Sequence, residues 1–152
     1  MIFIYHIYNL SLSPEVWGPH FWFVLHTMAI TYPKYPNDVT VKKYYEFLHN
    51  LPLFLPNETI GNKFSKLLDD FPPTAYLSSR LSFMKWVHFI HNRINTILGK
   101  PHIGFYKSLE KYYTHYKPKE LRCKEEQEKR RKYIHISVAA ALIILLLYTY
   151  SI

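Results

Sequence analysis

One cysteine, Cys123, is the only sulfhydryl in 152 residues, and only four glycines are present. A single thiol excludes any disulfide within the chain and any zinc site built from several cysteines. So few glycines leave no glycine-rich phosphate loop, and neither a nucleophile elbow nor a pair of catalytic carboxylates is recognisable. No Val/Ile/Thr alternation runs long enough for a sheet, and no internal repeat or low-complexity tract occurs. Charge is one-sided, with 19 Lys and Arg against 11 Asp and Glu for a formal +8. That excess alone speaks to solubility and nonspecific attraction. Much of it lies in the run Lys129-Arg130-Arg131-Lys132, which the membrane reading below explains, so no nucleic-acid partner is expected.

What is present is apolar and aromatic: 49% of residues are hydrophobic, with 14 tyrosines and 10 phenylalanines. This suffices for one compact domain. Prolines and caps punctuate it. Ser13-Pro14-Glu15 opens a first helix that should run to about Tyr32, before Pro33 and Pro36. Asn37 or Asp38 opens a second, with Val41, Tyr44, Tyr45, Phe47, Leu48 and Leu51 at helical spacing. Asn57-Glu58 starts a third, carrying Phe64, Leu67 and Leu68 and ending at Pro72-Pro73. The fourth is expected from about Ala75 to Leu98, with Gly99 as its stop, and a short fifth covers about Gly104 to Tyr113. The expected fold class is all-α: a four-helix bundle with a short fifth helix, followed by a transmembrane helix.

The membrane expectation rests on Tyr133–Ile152, which carries no Asp, Glu, Lys or Arg. As a helix it would be about 30 Å long, matching a hydrocarbon core, with Tyr133, Tyr148 and Tyr150 near its ends. The preceding basic run places residues 1–132 in the cytosol by the positive-inside rule, a tail-anchored arrangement. Residues 1–13 read as an N-terminal arm, apolar but without a signal-peptide pattern. The sequons at Asn9 and Asn57 would matter only in the opposite topology. Residues 114–132 read as a basic polar connector of helix-forming residues, taken as a solvated linker, with Glu125/Lys129 and Glu126/Arg130 as i,i+4 pairs. Cys123, between Arg122 and Lys124, reads as an exposed, idle thiol.

Two blocks carry a family resemblance. Trp22-Phe23-Val24-Leu25-His26-Thr27-Met28-Ala29, preceded by Trp17-Gly18-Pro19 and followed by Tyr32-Pro33, resembles the first flavin-holding helix of the Erv/ALR FAD-linked sulfhydryl oxidases. His88-Phe89-Ile90-His91-Asn92-Arg93-Ile94-Asn95, followed by Leu98-Gly99-Lys100-Pro101, resembles the fourth. The likeness covers about residues 14–113 and implies an FAD-binding helical domain. It nominates Gly18, Trp22, His26, His88, His91, Asn92, Asn95, Lys100, Lys111 and Tyr112 as cofactor-binding, Tyr112 standing where the family usually has a tryptophan. Asn92 and Asn95, and likewise His88 and His91, are three residues apart and share a helix face. With these histidines assigned to flavin and no acidic ligand nearby, His88 and His91 with His26 or His20 are not expected to hold a metal.

The departures are as informative. The family places a Cys-x-x-Cys redox pair after a proline; here Asn57 and Ile60 occupy those positions, leaving no catalytic residue to name. Phe105 stands at one position of a structural cysteine pair common in the family. Disulfide exchange requires a thiolate, which neither an amide nor an alkyl side chain supplies. Two readings follow. One is an FAD-linked thiol oxidase relative, small viral members of the family included, that would oxidise a partner's cysteines at the flavin. The other is a catalytically inactive, membrane-anchored scaffold of the same fold. The family pairs through its first two helices, so either would dimerise with a second copy or a relative.

Overall fold

The computed structural model describes residues 12–150. The N-terminal arm expectation and the Asn9 sequon therefore fall mainly outside the described residues. Six α-helices and no strands occur among the described residues: α1 Pro14–Thr31, α2 Asp38–Asn50, α3 Glu58–Asp70, α4 Arg80–Ile97, α5 Phe105–His115 and α6 Lys119–Tyr150. Short 3-10 turns at Leu51–Phe54 and Pro73–Tyr76 follow α2 and α3. The described residues form two units, divided between Tyr112 and Tyr113.

Local chemistry accounts for the helix starts. Ser13 accepts from the Glu15 amide at 3.3 Å. Asn37 Oδ1 accepts from Thr40 at 2.8 Å, and Asn57 Oδ1 from Ile60 at 3.0 Å. Each satisfies a first-turn N–H that the helix itself leaves unpaired. α4 begins later than its apolar pattern predicts. Pro73–Tyr76 winds as a 3-10 turn, and Ser79 then caps α4 by accepting from the Ser82 amide at 3.3 Å. The stop is as expected: Gly99 sits at φ +65°, the Gly99 amide donates to Thr96 at 3.1 Å, and the Lys100 amide donates to Asn95 at 2.8 Å. This is a Schellman motif, which glycine permits because it carries no Cβ.

Helix α1 packs antiparallel on α4. At one end, the buried Tyr32 donates its hydroxyl to Leu77 O at 2.8 Å, and Arg80 donates to Tyr32 O. At the other, Lys100 meets Glu15 at 3.3 Å. Between them the core gathers Leu25, Ala29, Tyr32, Phe83, Trp86, Val87, Ile90 and Ile94, joined by Leu48 and Leu51 of the α2 region and Phe64, Leu67 and Leu68 of α3. Trp86 donates its indole N–H to Phe71 O at 2.9 Å, tying α4 to the end of α3. Tyr44 is part of this packing, edge-on to both Tyr32 and Phe83. Gly61 lets α3 approach the turn after α2, because a Cβ there would lie 2.8 Å from Pro52 O.

In the second unit, α6 is one continuous helix of 32 residues. The stretch read as a linker is helical from Lys119 onward. Lys, Glu, Gln, Arg and Leu dominate it, with neither Gly nor Pro after Pro118, so propensity favours helix throughout. Glu125 pairs with Lys117 at 2.8 Å, and the more distant Lys129 ammonium helps to lower its carboxyl. Cys123 is exposed. α6 is the one described helix long and apolar enough to cross a membrane, with a mean hydropathy of 1.9 in its apolar window.

Candidate flavin site between the first and fourth helices

The antiparallel register of α1 and α4 brings together residues that the sequence keeps far apart. Glu15, Gly18, Trp22 and His26 lie at three- and four-residue steps and so share one face of α1. His91 meets that face from α4. The Trp22 indole stacks on the His91 imidazole, with ring centroids 4.0 Å apart and planes 8° from parallel. His26 Nε2 and His91 Nδ1 are 3.0 Å apart, one donating and the other accepting. His26 in turn stacks on Tyr112 of α5, with centroids also 4.0 Å apart. The result is a layered group of four rings drawn from three helices.

Burial sets the protonation of this group. Desolvation lowers His26 to about 3 and His91 to about 4; repulsion from His91 adds to the effect on His26, and His88 and the Lys111 ammonium add to both. Lys100 adds to the effect on His91. Both imidazoles are therefore neutral at pH 7, and their shared hydrogen bond needs at least one of them to be so. Burial pushes the Tyr112 phenol up to about 12, so it too stays neutral. The permanent charges beside the group are two cations and one anion: Lys111, 5.7 Å from the Tyr112 ring centroid, and Lys100, paired with the Glu15 carboxylate on α1.

The other nominated residues have distinct placements. Asn92 uses both ends of its amide on one residue, donating to Ile103 O at 2.9 Å and accepting from Ile103 N at 3.1 Å. This two-sided bond pins the 99–104 loop to α4. His88, half-buried, lies 3.2 Å from Asn92 Nδ2 and edge-on to Phe105. Asn95 is buried at 6% exposure, with its Nδ2 3.5 Å from Asn92 Oδ1. Gly18 is buried, yet a Cβ built there meets nothing within 4 Å, so space remains beside α1 at this point.

Asn57 caps α3 and Ile60 lies in its first turn. Asn57 is occupied as the helix cap, and Ile60 is buried at 7% exposure. One turn on, the Phe64 ring lies 6.3 Å from Trp22. A separate cleft of about 410 Å³ opens between the turn after α2 and α3, lined by residues such as Pro52, Leu55, Glu58 and Gly61. None of the nominated flavin residues lines it. Among the described residues, no group of three or more His, Cys, Asp or Glu is arranged to hold a metal.

Sequence reasoning did not find Glu15, Phe64 or Ile103 as parts of this site. Glu15 reads as an ordinary first-turn acid and Phe64 as ordinary core. Ile103 takes part through its backbone, which leaves no mark on residue type.

Residues 19–117 match the profile of the Erv1/Alr family. The chain belongs to that family. It is 32% identical over 100 residues to a probable FAD-linked sulfhydryl oxidase of Acanthamoeba polyphaga mimivirus, covering 65% of this chain and 70% of the relative. It is 30% identical over 96 residues to a putative FAD-linked sulfhydryl oxidase of Invertebrate iridescent virus 6, covering 60% and 86%. Among solved structures it resembles the FAD-binding domain of Erv1 from Saccharomyces cerevisiae, with a TM-score of 0.59 at 26% identity over 62% of this chain and 88% of that one. The yeast Erv1 core gives 0.58 at the same identity. The Erv1/Alr frame expected from the two sequence blocks is therefore the frame the helices build.

The donor set fits a flavin dinucleotide by its chemistry. Trp22 and Tyr112 offer flat aromatic faces, His26, His91 and Asn95 offer neutral directed polar groups, and Lys100 and Lys111 offer two cations for a diphosphate. At 4.0 Å each stacked pair is already in van der Waals contact, so a ligand ring would meet outer faces of the pairs and not enter between them.

Proposed function

We propose that this chain is an FAD-binding Erv1/Alr protein in which the thiol-oxidising function has been separated from the flavin frame. The carrying observation is the four-ring group of Trp22, His91, His26 and Tyr112, neutral at its centre and bordered by Lys100 and Lys111. In this reading Trp22, His26, His91, Asn95 and Tyr112 hold the ring systems, the two lysines face the diphosphate, and Gly18 leaves room beside α1. His88 and Asn92 act by positioning. Bound FAD supplies two-electron transfer to oxygen, chemistry that belongs to the cofactor.

In the family's net reaction two thiols become a disulfide and oxygen becomes hydrogen peroxide. This chain supplies no thiol pair at residues 57 and 60, so both sulfurs must come from a partner protein that reaches the flavin itself. A second reading is favoured by how completely Asn57 and Ile60 are absorbed into cap and core: the module is an inactive scaffold that pairs with a second copy or an active relative. Val16 and Val24 on α1, with Val39 and Phe47 on α2, are exposed apolar side chains that suit such an interface. In either case Tyr133–Tyr150 crosses a membrane, with the helical domain on the cytosolic side.

The full chain, purified in detergent and titrated with FAD, tests the reading by its visible spectrum. A bound-flavin band near ~450 nm supports the site, and thiol-dependent oxygen uptake then separates an oxidase from a flavin-bearing scaffold. A colourless folded chain that ignores added FAD overturns the flavin reading.

A further inference from the structure

The continuity of α6 places its charges in a way that a linker would not. Residues 119–128 carry three basic and four acidic side chains, whereas the next four, Lys129, Arg130, Arg131 and Lys132, are all basic. These four lie within a single unbroken helix that continues directly into the apolar segment. Successive residues of an α-helix are turned by about 100°, so four in a row encircle the axis, and no direction lies more than roughly 50° from one of them. A cationic face meant for a nucleic-acid groove or an acidic helix repeats every three or four residues along one side. This is instead a collar, one turn tall. The ion pairs among the described residues engage Lys42, Lys43, Lys100 and Lys117, and the collar takes part in none of them.

We propose that this collar is a binding site for anionic phospholipid headgroups. The inference rests on Tyr133–Tyr150 crossing the bilayer. With that segment in the hydrocarbon, the collar stands at headgroup depth on its N-terminal side, surrounded by lipid on all sides. Each cation near such a surface attracts anionic lipid, and the two arginines can engage phosphate with paired N–H donors. The headgroups that complement the collar carry net negative charge, as phosphatidylserine does, whereas phosphatidylcholine is neutral overall.

The full chain is reconstituted in phosphatidylcholine bilayers, and the motionally restricted fraction of spin-labelled phosphatidylserine is compared with that of spin-labelled phosphatidylcholine. The expected result is a preference for phosphatidylserine of about three-fold or more at low salt, falling toward unity in molar salt. A variant with K129Q, R130Q, R131Q and K132Q should restrict the same number of lipids per chain with the preference gone. Equal restriction of the two lipids by the native chain overturns the proposal while leaving the membrane span intact. So does a preference that persists in the variant, or a collar-dependent retention of the chain on nucleic acid without lipid preference. No restricted lipid of either kind overturns the span itself, and the proposal with it.

Discussion

Trp22 of α1 lies flat on His91 of α4, ring centroids 4.0 Å apart, and His91 is in turn hydrogen-bonded to His26, one turn beyond Trp22. The contact fixes how the two helices meet and where the flavin-site candidates gather. Aromatic stacking at this distance adds to the area buried. Trp22→Ala should therefore loosen the α1–α4 pairing as well as the site. The expected loss is about 2–3 kcal/mol, below the range for fully buried aromatic truncations because Trp22 is half-exposed. Denaturant titration reads it, and weaker FAD retention should accompany it.

The His26–His91 pair makes stability depend on pH. In the unfolded chain both imidazoles titrate near ~6.5; in the folded chain burial holds them at about 3 and about 4. Between these limits the unfolded state binds more protons, so stability rises with pH and falls as pH drops below 6.5. The loss due to these groups should reach a few kcal/mol by about pH 4 and change little below pH 3. Unfolding curves from pH 7.5 to pH 4 measure it. His26→Gln should flatten the slope, and an unchanged slope would assign the pH dependence to other groups.

Asn92 should show a split between its two bonds. Asn92→Ala removes the donor to Ile103 O and the acceptor for Ile103 N together, costing about 1–3 kcal/mol. It should also speed hydrogen exchange at the Ile103 amide. Asn92→Asp keeps an acceptor for that amide while losing the donor, so Ile103 should stay protected. Equal exchange in both variants would show that the loop is held by something else.

Gly61→Ala tests the close approach of α3. The added methyl would meet Pro52 O at 2.8 Å, and a backbone carbonyl cannot rotate aside like a side chain. Overpacking of this kind costs about 1–3 kcal/mol. Alanine would otherwise favour the helix by about 1 kcal/mol, so a stabilised variant would show that the turn moves freely.

The missing redox pair can be restored. Asn57→Cys with Ile60→Cys puts two thiols at the head of α3, about two turns and one turn before Phe64. Losing the Asn57 cap should cost about 1 kcal/mol. On the flavin reading, the FAD-loaded double variant should take up oxygen with a small dithiol faster than the native chain does. Bound flavin without that gain would mean the surroundings of residues 57 and 60 have diverged along with the cysteines.

Helix boundaries were legible wherever a local rule governs them. Ser13, Asn37 and Asn57 cap because a side-chain oxygen reaches an amide two or three residues on, and Gly99 stops α4 because only glycine takes φ +65° without a steric cost. The start of α4 was misjudged: the apolar pattern runs back to Ala75, and the Ser79 cap outcompetes it. The helix-forming residues of 119–132 are legible in the same way as the caps; that they join the apolar segment in one unbroken helix is what the structure adds.

By itself, then, the sequence determined the helical class, the caps, the want of a thiol pair and the length of the apolar run. Each of these depends on residue identity or on spacing within a few turns. Tertiary structure decided which rings touch, that Lys100 answers to Glu15 and Glu125 to Lys117, and that Asn92 serves the loop. Such contacts depend on the register in which helices pack, which the whole core sets by burying Tyr32, Phe83 and Ile90 together. The protonation of His26 and His91 belongs to the same class, since an imidazole loses its proton to burial only after the helices around it have closed.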